Sequence, residues 1–141
     1  IQNMLNRGGL NPRALVASGP NGGYPHYNLG LRTLEKGDEE FHPCYAGPME
    51  ERDMAYHQGT VWTFPLGAYY LAYLKVNQYS PEAKKIVREQ LEVMEAAMRE
   101  GCIGQLPEIY DGENPTRSKG CFAQAWSVGE ILRVYEALEK L

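Results

Sequence analysis

Three stretches of the chain place apolar residues at helical spacing, with irregular segments before and between them. The first runs through Val61, Phe64, Ala68, Leu71, Tyr73 and Leu74 to about Gln78. Only Lys75 is charged inside it, so it reads as a helix buried on most sides, an inner element. Its start is open between Thr60 as an N-cap and Pro65 as the first helical residue, because proline inside a helix loses a hydrogen bond and kinks it. The second is plainer. Ser80-Pro81-Glu82 supplies a cap, a proline at the first position and an acid in the first turn. Ala83, Ile86, Val87, Leu91, Met94, Ala97 and Met98 then keep to one face, charged residues fill the other, and Gly101 marks the end. The third helix is predicted from Phe122 to Leu138, with Ala125, Val128, Ile131, Leu132, Tyr135 and Leu138 on its apolar side. Buried, amphipathic, then largely buried helices point to an all-α fold of layered αα-hairpins.

The first third of the chain does not follow this pattern. Ile1 to Leu15 is a short mixed stretch broken by Gly8-Gly9 and Pro12, and the run Ser18 to His26 is dense in breakers. Residues 1–29 therefore read as an irregular segment or linker, and Leu29 to Glu51 as continuing loop. Ordered loops of that length usually build a site or pack on a neighbour. Three helices alone leave an inner helix exposed, so either the loops cover it, the chain self-associates, or it belongs to a larger fold. A chain that opens on Ile rather than Met points to the last of these.

Composition narrows the classes. At 141 residues, 43% hydrophobic and 23% charged, the chain suits one globular core. A net charge of −4 with scattered basic residues disfavours a nucleic-acid surface. No apolar run reaches the roughly 18 residues of a membrane span. Cys44, Cys102 and Cys121 form no CxxC pair and read as reduced thiols of a cytoplasmic protein. His26 and His42 have no partner at metal-ligand spacing, so no metal is expected, and with no Gly-rich phosphate loop in the sequence no organic cofactor is implied either.

The stretch most suited to chemistry is the loop Gly104 to Pro115, which carries Glu108, Asp111 and Glu113 among aromatic, Gly and Pro residues. Such carboxylates either mark a solvated turn or form a site.

Three motifs separate these readings. Asp53-Met-Ala-Tyr-His-Gln-Gly-Thr-Val-Trp, Pro107-Glu-Ile-Tyr-Asp-Gly and Gly120-Cys-Phe-Ala-Gln-Ala-Trp-Ser-Val resemble, in order and spacing, the C-terminal end of glycogen debranching enzymes of the amylo-α-1,6-glucosidase type. Gly30-Leu-Arg-Thr-Leu resembles the segment that precedes the first motif, so the likeness covers residues 30–141. It implies the C-terminal portion of an (α/α)6 toroid that acts on an α-glucan or branched oligosaccharide. It also implies an inverting hydrolysis in which Glu108 is the general base, activating the water that attacks the anomeric carbon. The family's general acid lies in an upstream Gly-Arg-Asp type motif absent from this sequence, so the isolated chain is expected to be inactive. A trehalase-like or glucoamylase-like toroid hydrolase, or a non-catalytic helical glucan-binding module, remains an alternative.

The resemblance further suggests sugar contacts from Asp53, Tyr56, His57, Gln58, Trp62, Asp111, Gln124 and Trp126. Each has a plainer reading. Asp53, His57, Gln58 and Gln124 can cap helices. Tyr56, Trp62 and Trp126 can be core. Asp111 can form a turn with Gly112. One departure stands out: the family usually continues Thr-Val-Trp directly with Pro, whereas Thr63-Phe64 intervene here. That leaves the placement of His57 and Gln58 open.

Overall fold

A computed structural model describes residues 29–99, 102–113 and 117–140, and the segment predicted as an irregular linker, 1–29, lies outside them but for Leu29. The proline and serine signals place two helices as expected. Helix α2 spans Pro65–Val76 with Pro65 at its first turn. Helix α3 spans Pro81–Ala97, and the Ser80 hydroxyl accepts the Ala83 N–H. Gly101, its predicted stop, is outside the described residues; the Met98 carbonyl instead accepts the Gly104 N–H at 2.8 Å. Helix α4 begins at Ala125, three residues later than predicted, and runs to Lys140.

The core joins these three helices. Leu66, Tyr70 and Leu74 of α2 pack with Val87, Leu91 and Met94 of α3 and with Ile131, Val134 and Leu138 of α4. On α4 the buried line is Ser127, Ile131, Val134 and Leu138, which leaves the predicted apolar residues Ala125 and Leu132 facing outward, Leu132 60% exposed.

Helix direction follows from the contacts. Phe64, just before α2, stacks on Trp126 at the start of α4, and one turn further Gly67 lies against Glu130. The two helices therefore run the same way. The intervening α3 runs back: Arg88 at its middle donates to the Leu138 carbonyl near the end of α4, and Glu95 near its own end accepts from the Tyr135 hydroxyl one turn earlier on α4.

Two features depart from the expected elements, and the second of them corrects the all-α expectation. The first is helix α1, Met49–His57, in the segment read partly as loop. Only Ala55 is buried on it, so it has no apolar stripe to betray it, although Glu50 and Glu51 in its first turn and His57 in its last complement the helix dipole. The second is a four-stranded antiparallel sheet of two-residue strands in the order β1 Leu31–Arg32, β2 Val61–Trp62, β3 Ile109–Tyr110 and β4 Ser118–Lys119. Val61 and Trp62 pair with β1 on one side and β3 on the other, so they are extended and not helical. Thr60 is accordingly no helix cap; its buried hydroxyl donates to the Tyr56 carbonyl and accepts the Trp62 indole N–H.

The α2–α4 contact depends on Gly67. A Cβ there would come within 2.5 Å of the Glu130 Cβ and 2.7 Å of its carbonyl oxygen. Backbone cannot yield as a flexible side-chain tip can, so the helices must separate. Gly67→Ala is expected to destabilise the protein by about 1–3 kcal/mol in urea denaturation, whereas Gly129→Ala, with nothing within 4 Å of its added methyl, is tolerated.

Candidate active site

The end of the molecule where α2 and α4 both begin is also where the sheet lies. Strand β2 leads into α2, and the β3–β4 pair leads through residues 120–124 into α4. Glu108 immediately precedes β3. Its backbone is held from both sides. The Glu108 N–H donates to the Cys121 carbonyl at 2.8 Å, and the Gln124 N–H donates to the Leu106 carbonyl at 2.8 Å. The buried Ser127 hydroxyl donates to the Pro107 carbonyl at 3.3 Å.

The half-buried Glu108 carboxylate is as firmly fixed as its backbone. Oε1 accepts the Tyr56 hydroxyl at 2.6 Å, and Oε2 accepts the Cys121 N–H at 3.0 Å. The Gln124 side chain also favours the charged carboxylate. Partial burial alone would push the Glu108 pKa up, but the bonds from Tyr56 and Cys121, with the Gln124 side chain, outweigh it and hold the group below the ordinary glutamate value. Conversely, burial and the neighbouring Glu108 charge raise the Tyr56 phenol well above its ordinary value, so it stays a donor. Gly120 makes the close approach possible. Its φ is +65°, and an added Cβ would sit 2.4 Å from Glu108 Oε2.

An aromatic wall continues from Tyr56. Its ring meets Trp62 edge-on at 4.7 Å, Trp62 meets Trp126 at 6.0 Å, and Trp126 stacks on Phe64 at 4.4 Å. Trp126 is 46% exposed and the nearby Phe122 69% exposed. Solvent-facing aromatic rings beside an oriented carboxylate suit a sugar ring, whose C–H face packs on aromatics while its hydroxyls seek polar partners.

The other predicted residues separate. Tyr56, Trp62, Gln124 and Trp126 gather on the Glu108 side, Tyr56 by a hydrogen bond to the carboxylate and Gln124 through its effect on the carboxylate's charge. Asp53, His57 and Gln58 do not precede a helix. Asp53 is exposed on α1, His57 is the last residue of that helix with its ring edge-on to Tyr56, and Gln58 follows as its C-cap. The Gln58 amide donates to Glu40 at 3.2 Å, away from the carboxylate. Asp111 ties the 33–48 loop to the sheet, since Oδ1 accepts the Tyr45 N–H at 2.8 Å and Oδ2 lies 3.7 Å from the Lys119 ammonium. Glu113 pairs with Lys36 at 2.5 Å.

Gly120, Cys121, Phe64, Phe122 and Ser127 were not among the candidate site residues, although all but Phe64 belong to the third motif. Phe64 is one of the two residues that interrupt the usual Trp-Pro sequence. The interruption accommodates packing: Thr63 is buried with its hydroxyl donating to the Leu29 carbonyl, and Phe64 joins the aromatic wall. Among the described residues no group of three His, Cys, Asp or Glu side chains is placed to hold a metal ion. Nor is any helix among them long and apolar enough to cross a membrane.

A family model described as amylo-alpha-1,6-glucosidase matches residues 26–133. The chain belongs to the amylo-α-1,6-glucosidase family. All three motifs fall within the match, which bears out the resemblance to the C-terminal part of glycogen debranching enzymes. No curated protein and no solved structure gives a match.

The lowered Glu108 pKa links charge to stability. A carboxyl with a folded pKa below its unfolded one adds stability that is fully present above the unfolded value and is lost as pH falls through the folded value. Carbon-detected NMR titration of the Glu108 carboxyl is expected to give a midpoint below the ordinary glutamate value; a midpoint above it would mean that burial, not the donors, dominates.

Proposed function

We propose that the chain is the closing portion of an (α/α)6 toroid glycosidase domain that removes α-1,6-linked glucose from a branched glucan, in the cytoplasm, with inversion. Family membership supports the substrate class. The helix directions support the toroid: α2 and α4 run parallel as neighbouring inner helices would, and the amphipathic α3 returns between them as an outer helix.

Glu108 is the general base in this reading. The observation that carries it is the carboxylate's pair of neutral donors, Tyr56 and Cys121, one on each oxygen. A carboxylate has roughly four lone-pair sites, so with these donors in place it keeps the capacity to accept from a water. A water held there gives up its proton as it attacks the anomeric carbon, while the leaving oxygen is protonated by a general acid from outside this chain. The neutral donors keep the carboxylate ionised and oriented without the neutralising charge of an ion pair. Trp126 and Phe122 provide apolar surface for the sugar. Asp53, His57 and Gln58 are contacts to the glucan in this reading.

Glu108→Gln in the full-length native protein is expected to lower kcat for a branched limit dextrin about a thousandfold or more with little change in KM. Unchanged turnover would end the assignment. The outward-facing Phe122, Trp126 and Leu132 also predict that the isolated 141-residue chain self-associates in sedimentation velocity. A monodisperse monomer with a sharp cooperative melt would count against the incomplete toroid.

A further inference from the structure

We infer that Tyr56 is a positioning residue for Glu108: its phenol fixes the carboxylate's rotation and keeps the remaining lone pair turned toward the attacking water. This rests on the reading of Glu108 as the base. Tyr56 also ranks among the sugar-contact candidates, but its hydroxyl is committed elsewhere, donating to Glu108 Oε1 at 2.6 Å. The opposite oxygen, Oε2, is held by the Cys121 N–H at 3.0 Å. One donor on each oxygen defines the carboxylate plane, which a single donor would leave free to turn about its terminal torsion. Tyr56 is itself locked. Its ring is bracketed by Trp62 at 4.7 Å, His57 at 5.1 Å and Tyr45 at 5.9 Å, and its backbone carbonyl accepts the buried Thr60 hydroxyl at 2.8 Å. The first motif and the Glu108 motif thus meet through one side-chain bond across 52 residues. This gives the tyrosine in the Asp-Met-Ala-Tyr-His-Gln segment a role that does not involve touching substrate.

Other ionisable and charged groups border this pair. His57 and Tyr45 flank the Tyr56 ring, with the Arg52 guanidinium over Tyr45 at 6.0 Å. Asp111 and Lys119 on the strand pair face each other, and Cys121 lends its backbone N–H. The Glu108 pKa is held down by the Tyr56 bond among others, so losing the hydroxyl should raise it.

The test uses the full-length native protein acting on a branched limit dextrin. Tyr56→Phe keeps the ring and removes only the donor. Its expected effect is an acid limb of the kcat/KM profile moved up by about one pH unit, with kcat down about tenfold at neutral pH and KM within about twofold. If that variant fails to fold, 3-fluorotyrosine at position 56, a nearly isosteric and stronger donor, should move the acid limb down instead. An unmoved acid limb in a folded variant whose Glu108→Gln counterpart is inactive overturns the role of Tyr56 alone. An active Glu108→Gln enzyme overturns the base assignment first. A raised KM with an unmoved acid limb returns Tyr56 to substrate contact.

Discussion

The close contact between α2 and α4 is the constraint from which the rest of the molecule follows. Gly67 has no side chain to hold Glu130 away, so two helices of the same direction lie in backbone-to-side-chain contact while α3 returns along them. Parallel neighbours bring their N-terminal ends to the same end of the molecule. The segments feeding those ends, Val61 to Phe64 and Ser118 to Gln124, must then meet there, and they do so through the short sheet and the Phe64–Trp126 stack. Burial of Leu66, Tyr70 and Leu74 against both partners stabilises the arrangement by the removal of large apolar surface from water.

Glu108 gains its character from that meeting of segments. Taken alone, an acid between a proline and a two-residue strand is an ordinary loop residue. Here α1 presents Tyr56, the residues after β4 present Cys121 and Gln124, and Gly120 makes room for the carboxylate beside the backbone. The result is an ionised acid fixed in orientation by neutral donors and bordered by exposed aromatic rings. Such a group can accept a proton from water without first being released from an ion pair. Asp111 and Glu113, by contrast, are paired with Lys119 and Lys36 and hold the loops together.

How much of this the sequence discloses depends on the range of the interaction involved. Helices α2 and α3 are announced by local signals, Pro65 and the Ser80-Pro81 start, and α3 by its apolar line as well. Helix α1 buries only Ala55, so periodicity passes over it. Strands of two residues are too short to show alternation, which is why Val61 and Trp62 read as the front of a helix. The motif around Glu108 singles out the carboxylate through family resemblance. Its partners arrive from 52 and 13 positions away, and no spacing rule connects them. Asp53, His57 and Gln58 illustrate the converse: their motif is legible, but its placement on the last turns of α1, and not ahead of α2, required the fold.

The central claim is that Glu108 deprotonates the attacking water, and chemical rescue tests it most directly. Azide attacks the anomeric carbon without surrendering a proton, so it bypasses a missing base while still needing the general acid. In the full-length native protein, Glu108→Ala should lose hydrolysis of an α-1,6-branched limit dextrin, and added azide should restore cleavage with β-glucosyl azide as the product. Hydrolysis by that variant at the native rate, or rescue that yields the α-anomer, would contradict the account.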